Sequence, residues 1–424
     1  MSLPAFEFVS YNFDEENLRA TFNYRGGNTK NPLDFTETVT FPNRALSAPD
    51  FDSIRPLLDR AMFLAFITIG TSYYKAFPTK TIKLENKLSP ATAEFFNAIY
   101  QDGLSQFAFE NKLERKNLAH FASDDTVENP ELLDYSGEGK LVLQSGGKDS
   151  LLTATLLSEK DEPWTALYIS SNGEYPKILN DIGAKNLQIV TRKIDLDNLL
   201  KAKDLGGKNG HVPVTYINIA IALIQAILNG QNEIITSIGR EGEELHSTIE
   251  STNDEPALPV NHQWSKTKIA EDLLNTYVEA NISPKLKVYS IIREYSELKI
   301  AELFATKCWD KFGHRFSSCN RANYSQGINN SKLYWCGDCA KCANSYLLFA
   351  PFIPATDQNT LFRSGQSLFK NPHLVEIFKG LLGVDGVMKP FECIGEVNEL
   401  REAYHQKLPD YPDLPFKVPP ANKE

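Results

Sequence analysis

Residues 140–158 read Lys-Leu-Val-Leu-Gln-Ser-Gly-Gly-Lys-Asp-Ser-Leu-Leu-Thr-Ala-Thr-Leu-Leu-Ser, and no other stretch constrains the fold as much. The apolar residues Leu141, Val142 and Leu143 run as a strand into the pair Gly146-Gly147. A helical pattern leaves the pair with Leu151, Leu152, Thr155 and Leu156 on one face. A strand feeding a helix through a glycine turn gathers free backbone N–H groups and the positive end of the helix dipole, which suits phosphate. Gly146 and Gly147 let the backbone approach an anion with no Cβ in the way, and Lys148 adds a point charge. Asp149 and Ser150 suit the first helical turn, where acceptors satisfy orphan N–H groups. The Walker loop is excluded, because it requires four residues between its first glycine and Gly-Lys-[Ser/Thr].

Apolar runs recur at 164–170, 187–192 and 232–237, with helical patterns between them, the clearest at 214–229. Strands alternating with helices predict an α/β fold with a doubly wound, mostly parallel sheet. Ligands of such sheets sit at the carboxyl ends of the strands. Residues 146–150 occupy that edge by construction, and Ser171-Asn172, Thr191-Arg192 and Gly239-Arg240 are expected to share it. Ser171 and Arg240 are therefore further candidates for nucleotide contact. Ser145-Gly-Gly-Lys-Asp-Ser150 resembles the pyrophosphate loop (PP-loop) of the N-type ATP pyrophosphatases, and the resemblance implies ATP cut between its α and β phosphorus atoms.

Upstream, residues 5–41 largely alternate apolar and polar, punctuated by Gly26-Gly27-Asn28 and Asn31-Pro32, and predict a small antiparallel meander. Glu37 is a polar break in its apolar face. A helix over 51–74, a strand at 81–84 and a helix over 91–100 complete an N-terminal α+β domain, residues 1–120, with no visible chemistry. Residues 121–138, acidic and punctuated by Pro and Gly, read as a linker. The phosphate-loop domain spans 139–312, with later helices near 266–280 and 296–307. Residues 313–424 form a Cys-rich and C-terminal helical region.

The net charge of −10 and sequence pI of about 5.4 disfavour a nucleic-acid partner, which needs a concentrated basic surface. The first residues show no signal peptide, and the longest apolar candidate for a membrane span, 214–228, is interrupted by Asn218 and Gln225. A cytoplasmic chain working on small molecules is expected. Four of six cysteines lie between 319 and 342, which fits a metal cluster in a reducing compartment better than a disulfide framework. Cys336-x-x-Cys339-x-x-Cys342 with Cys319 supplies four thiolates. Two-residue gaps let neighbouring sulfurs wrap one tetrahedral ion, and four ligands leave no open position, so structural Zn²⁺ is expected. Buried reduced thiols and an iron–sulfur cluster are the alternatives.

Other residues read two ways. His211, in Asn209-Gly-His-Val-Pro213 before the long apolar helix, is a substrate contact, an acid/base group or a loop histidine. The cluster Asn261-His262-Gln-Trp-Ser-Lys266 recognises substrate, or caps and packs a helix. One carboxylate of Glu241, Glu243 and Glu244 could hold Mg²⁺ on ATP. Cys393 lies outside the cysteine cluster as a core thiol or a proton-transfer group.

The loop and cysteine cluster resemble 7-cyano-7-deazaguanine synthase (QueC), an enzyme about half this length. A closer resemblance is to the UDP-N-acetylmuramoyl-L-alanyl-L-glutamate epimerase (MurL) family. It rests on Ser72-Tyr-Tyr-Lys-Ala76, the loop at 145–150, Asn209-Gly-His-Val-Pro-Val-Thr215, Val260-Asn-His-Gln-Trp-Ser-Lys266, Ser317-Ser-Cys-Asn-Arg321, Trp335-Cys-Gly-Asp-Cys-Ala-Lys-Cys342 and Lys389-Pro-Phe-Glu-Cys-Ile-Gly-Glu396. Two departures stand out: Ser145 where the family is expected to carry glycine, and Ile238-Gly-Arg-Glu241 where an Asn-Glu pair is expected. The resemblance implies ATP- and Mg²⁺-dependent inversion of the terminal L-Glu of UDP-MurNAc-L-Ala-L-Glu through an acyl-adenylate, with release of AMP and pyrophosphate. It implies that Gly146, Gly147, Lys148 and Ser150 hold pyrophosphate, that Asp149 assists the loop or its Mg²⁺, and that Ser145 lines the phosphate entrance. His211, His262, Lys266 and Cys393 are the candidates for proton transfer at Cα. A QueC-like enzyme adenylating a deazaguanine and a non-catalytic nucleotide-binding module are the rival readings, with a tRNA-thiolating enzyme behind them.

Overall fold

The structure is a computed structural model that describes residues 5–44, 48–128, 130–240, 242–250, 256–323, 332–362 and 365–422. Strands β1 (Phe6–Asp14), β2 (Arg19–Asn28) and β3 (Asn31–Thr40) form the expected meander, followed by α1 (Phe51–Tyr74), β4 (Ile82–Lys83), α2 (Pro90–Gln101) and α3 (Ser105–Glu110). The alternating units are β5 (Lys140–Leu143), α4 (Lys148–Ser158), β6 (Trp164–Ser170), β7 (Asn186–Lys193), α5 (Leu196–Asp204), α6 (Val214–Asn229) and β8 (Glu233–Thr236). A two-stranded ribbon, β9 (Ser247–Ile249) and β10 (Leu258–Val260), precedes α7 (Lys268–Asn281), β11 (Lys287–Ser290) and α8 (Glu297–Lys307). The C-terminal region is helical: α9 (Trp309–Phe312), α10 (Asn320–Asn323), α11 (Ala340–Phe349), α12 (Ala355–Asn359), α13 (Val375–Leu381) and α14 (Val397–His405).

Nine strands form one sheet in the order β11-β8-β5-β6-β7-β3-β2-β1-β4. The run from β11 to β7 is parallel, β7 to β1 antiparallel, and β1 to β4 parallel again. The meander therefore has no sheet of its own: β3 pairs with β7 through Thr38–Lys193, Val39–Arg192 and Thr40–Thr191. That junction explains the polar break at Glu37. Its fully buried carboxylate receives Arg192 Nε at 2.6 Å and the Tyr73 hydroxyl at 2.7 Å. A buried pair survives desolvation only with such additional hydrogen bonds. Thr191 and Arg192 lie near the carboxyl end of β7, Thr191 level with Ser170 at the end of β6, while the Arg192 side chain is committed to Glu37 at this junction.

Both faces of the parallel strands are covered, as doubly winding requires. Leu141, Leu167, Val190, Ile234 and Val288 point into a core shared with α1, α2, α6 and α7. Val142, Ala166, Tyr168 and Ile235 point into a second core shared with α4, α8 and the C-terminal helices. The period of two in a strand produces this division. Aromatic rings seat the meander on α1: Tyr24 lies 5.2 Å from Phe66 and 5.3 Å from Tyr73 between centroids, and its hydroxyl donates to Phe66 O. Among the described residues no helix is long and apolar enough to cross a membrane. In α6, the buried Gln225 donates to Gln188 Oε1 of β7.

Candidate active site

β5 ends at Leu143 and α4 begins at Lys148, so the intervening turn lies at the carboxyl edge of the parallel strands. Gly146 has φ +81°, a left-handed conformation that favours glycine. A Cβ there would lie 2.6 Å from Leu333 Cδ1, and one at Gly147 would lie 2.9 Å from Ser318 Oγ. At Gly147, whose backbone is extended, a Cβ would displace the Ser318 hydroxyl. Ser150 Oγ accepts from Ser145 N at 3.3 Å and Gly146 N at 3.1 Å, while Ser145 Oγ, more exposed, accepts from Gly147 N at 3.3 Å. Gly147 as N-cap has no side chain to cover the first-turn N–H groups of α4. The turn therefore presents backbone donors and a dipole to the edge, which suits a phosphate.

Lys148 lies under this turn, 4% exposed, with Nζ 2.5 Å from Asp149 Oδ1 and 2.6 Å from Glu297 Oε2. Burial works against its charge, but the two carboxylates outweigh burial and raise its pKa. Glu297 opens α8, beyond the carboxyl end of β11, and its backbone N donates to Glu399 Oε2 at 3.2 Å. Burial and the neighbouring Glu396 raise the pKa of Glu399. Arg240 is exposed after β8, 3.8 Å from Glu399, and Ser171 is exposed just past β6. Glu243 accepts from Lys268 N at the start of α7, and Glu244 accepts from Lys389 Nζ and Val397 N. Glu241 lies outside the described residues.

The other candidates converge on a second cluster. The His211 and His262 rings are 4.4 Å apart between centroids. His262 Nε2 is 3.7 Å from Cys393 Sγ, and its Nδ1 is 2.6 Å from Gln106 Oε1 of α3. His246 stands 6.3 Å from His262 and stacks on Phe391 at 4.9 Å. Burial is the main reason all three histidines resist protonation. His211 falls to about 3, helped by His262, Lys75 and Lys266, and His246 and His262 fall to about 4. Lys75, at the end of α1, donates to Gly210 O at 3.0 Å, and burial with nearby Arg192 lowers it to about 8. The result is a group of neutral imidazoles beside a thiol and amines, close enough to one another to exchange a proton.

Two bridges join the cluster to the phosphate turn. The 389–396 segment runs from Cys393, whose carbonyl accepts from Lys341 Nζ, to Gly395, which donates to Asn344 Oδ1 and packs against Glu297. The cysteine region supplies the second. The sulfurs of Cys319, Cys336, Cys339 and Cys342 all lie within 4.8 Å of one another, with Cys319–Cys339, Cys336–Cys342 and Cys339–Cys342 at 3.5–3.7 Å. A tetrahedral ion with Zn–S bonds of about 2.3 Å needs sulfurs about 3.8 Å apart, so the donor set fits. Backbone N–H groups of Ala322, Gly337 and Asp338 point at three of the sulfurs. Two residues before Cys319, Ser317 caps its N–H and binds Tyr334 O, placing Ser317-Ser318 over Gly147. Gln106, His246 and Glu297 carry no local motif that marked them in the sequence, and Lys75 was marked only as part of Ser72-Tyr-Tyr-Lys-Ala76, with no role assigned to it.

Fold and site together define a mixed α/β protein with a phosphate-type turn, a buried histidine–thiol cluster and a tetrathiol site. Two family models match it, the MurL N-terminal domain over residues 1–291 and the MurL C-terminal domain over residues 315–413, and the chain belongs to the MurL family. Similar curated proteins are named UDP-N-acetyl-alpha-D-muramoyl-L-alanyl-L-glutamate epimerase. That of Salinispora tropica is 31% identical over 400 residues, covering 94% of this chain and 83% of the relative. That of Xanthomonas oryzae pv. oryzae is 30% identical over 406 residues, covering 95% and 85%.

Proposed function

We propose that the protein inverts the terminal L-Glu of UDP-MurNAc-L-Ala-L-Glu to D-Glu, consuming ATP and releasing AMP and pyrophosphate, as a step toward peptidoglycan precursors. The observation that carries this reading is the linkage of a phosphate-type turn to a cluster of neutral histidines and a thiol in a chain of this family. The chemistry needs both halves. A Cα–H beside a carboxylate is a very weak acid, because its loss places a second negative charge next to the first. Adenylation of the α-carboxylate removes the first charge, so a modest base can take the proton. Return of a proton to the opposite face inverts the centre, and hydrolysis frees the product.

In this reading Gly146, Gly147, Lys148 and Ser150 hold the departing pyrophosphate and Asp149 supports the loop or its Mg²⁺. Ser145 lines the entrance, and Ser171 and Arg240 border the nucleotide. His211, His262, Lys266 and Cys393 serve the proton transfers. Cys319, Cys336, Cys339 and Cys342 hold a structural Zn²⁺ that fixes Ser317-Ser318 above the turn. The N-terminal part lends surface to the UDP-MurNAc end. The test is incubation with ATP, Mg²⁺ and UDP-MurNAc-L-Ala-L-Glu, followed by chiral analysis of the hydrolysed glutamate and assay of AMP. D-Glu with AMP, both lost in Lys148→Ala, is expected. AMP without inversion would redirect the search to another carboxylate, a deazaguanine first, and neither product would overturn the reading.

A further inference from the structure

The orientation of His262 is fixed by a chain of hydrogen bonds read from its solvent end. Glu110, exposed at the end of α3, offers only acceptors through its carboxylate, so Gln106 presents its NH₂ to it, Nε2 to Oε1 at 3.0 Å. The amide oxygen of the buried Gln106 then faces His262 Nδ1 at 2.6 Å. An amide oxygen accepts only, so Nδ1 carries the hydrogen. Burial lowers the His262 pKa to about 4, so the ring is neutral near pH 7. Glu392 and Glu110 oppose that shift, Lys266 and Lys341 reinforce it, and His211, His246 and Cys393 complete the groups around the ring. Nε2 is left with a lone pair, and it faces Cys393 Sγ at 3.7 Å.

We propose that Gln106, braced by Glu110, is a positioning residue that holds His262 in the Nδ1–H tautomer, so that Nε2 receives the Cys393 thiol proton and the pair acts as a proton relay on one face of the substrate Cα. In the first step the S–H bond breaks and the Nε2–H bond forms, and the thiolate so created beside the ring stabilises the imidazolium against the burial that otherwise keeps His262 neutral. The thiolate then takes the Cα proton and re-forms S–H, while the C–H electron pair passes into the activated carboxyl group. The imidazolium retains its proton as counter-charge to the enolate. The same neutral ring in the opposite tautomer would present N–H to the thiol and could not take its proton. The substrate of the relay rests on the epimerase reading, whereas the tautomer does not.

The test uses the full chain labelled with ¹⁵N-histidine. Two-bond ¹H–¹⁵N spectra at pH 7 resolve the tautomers of its seven histidines, with His262→Gln as the assignment control. Cys393 alkylation by iodoacetamide, followed by mass spectrometry of its peptide, is the second readout. The expected result is His262 as Nδ1–H in the wild type. Gln106→Leu should shift it toward Nε2–H and slow alkylation several-fold, while Gln106→Glu, which keeps an acceptor on Nδ1, should restore both. A wild-type His262 found as Nε2–H or as imidazolium would overturn the proposal, as would alkylation unchanged in folded Gln106→Leu. Neither readout needs turnover. The predicted tautomer without epimerisation would remove the substrate assignment alone, and epimerisation with the opposite tautomer would remove the relay alone.

Discussion

Acidification should destabilise this protein through histidines that folding keeps neutral. His211 and His262 titrate near pH 6.5 in the unfolded chain and at about 3 and about 4 when folded. Between those limits the unfolded state binds more protons. Stability is therefore full above about pH 6.5 and declines as pH falls toward the folded values. At pH 5 each histidine costs about 2 kcal/mol, the two together about 4. That is a large share of the about 5–15 kcal/mol that stabilises a typical domain. His246 shifts in the same direction but is more open to solvent and is left out of the sum. Glu396 and Glu399, raised chiefly by burial, work in the opposite sense, because their folded forms hold protons more tightly. The clean quantity is the difference between wild type and variant. Urea unfolding at pH 7.5 and 5.0 should show His262→Gln losing about 2 kcal/mol less than wild type across that interval. An identical pH slope in the two proteins would refute the reasoning.

Replacing Lys148 by Met leaves Glu297, with a side chain 5% exposed, without its buried cation. The loss should be about 3–5 kcal/mol in urea unfolding and should shrink in Lys148→Met/Glu297→Gln. Arg192→Met strands the fully buried Glu37 at the β3–β7 junction, and the same assay should show a similar loss of about 3–5 kcal/mol. Cys339→Ser should remove zinc, measured by elemental analysis. It should also weaken ATP binding by calorimetry, because the Ser317-Ser318 cover over Gly147 is anchored through Cys319.

Local patterns were legible wherever neighbouring residues decide the structure. The runs at 164–170 and 214–229 became β6 and α6 with the same bounds, because β-branched and apolar periodicity is a short-range property. The β3–β7 pairing was not legible, since Arg192 follows Glu37 by 155 positions and no local pattern specifies that register. Glu37 showed only as an anomaly in an apolar face, and its partner explains it. His211, His262 and Cys393 could each be singled out, but their mutual approach needed the fold: Cys393 follows His262 by 131 positions. Gln106 fell in a stretch with no assigned element, and Glu297 sat in the helix expected over 296–307 with nothing to mark its role. Four cysteines at ligand spacing were readable because chelation itself constrains spacing.

The central claim is activation of a carboxylate by adenylation before the Cα proton moves. Substrate bearing ¹⁸O in the glutamate α-carboxylate tests it most directly, because attack of that carboxylate on the α-phosphorus carries one of its oxygens into AMP. The account predicts AMP containing a single ¹⁸O by mass spectrometry, formed together with D-Glu. D-Glu accompanied by unlabelled AMP would contradict it.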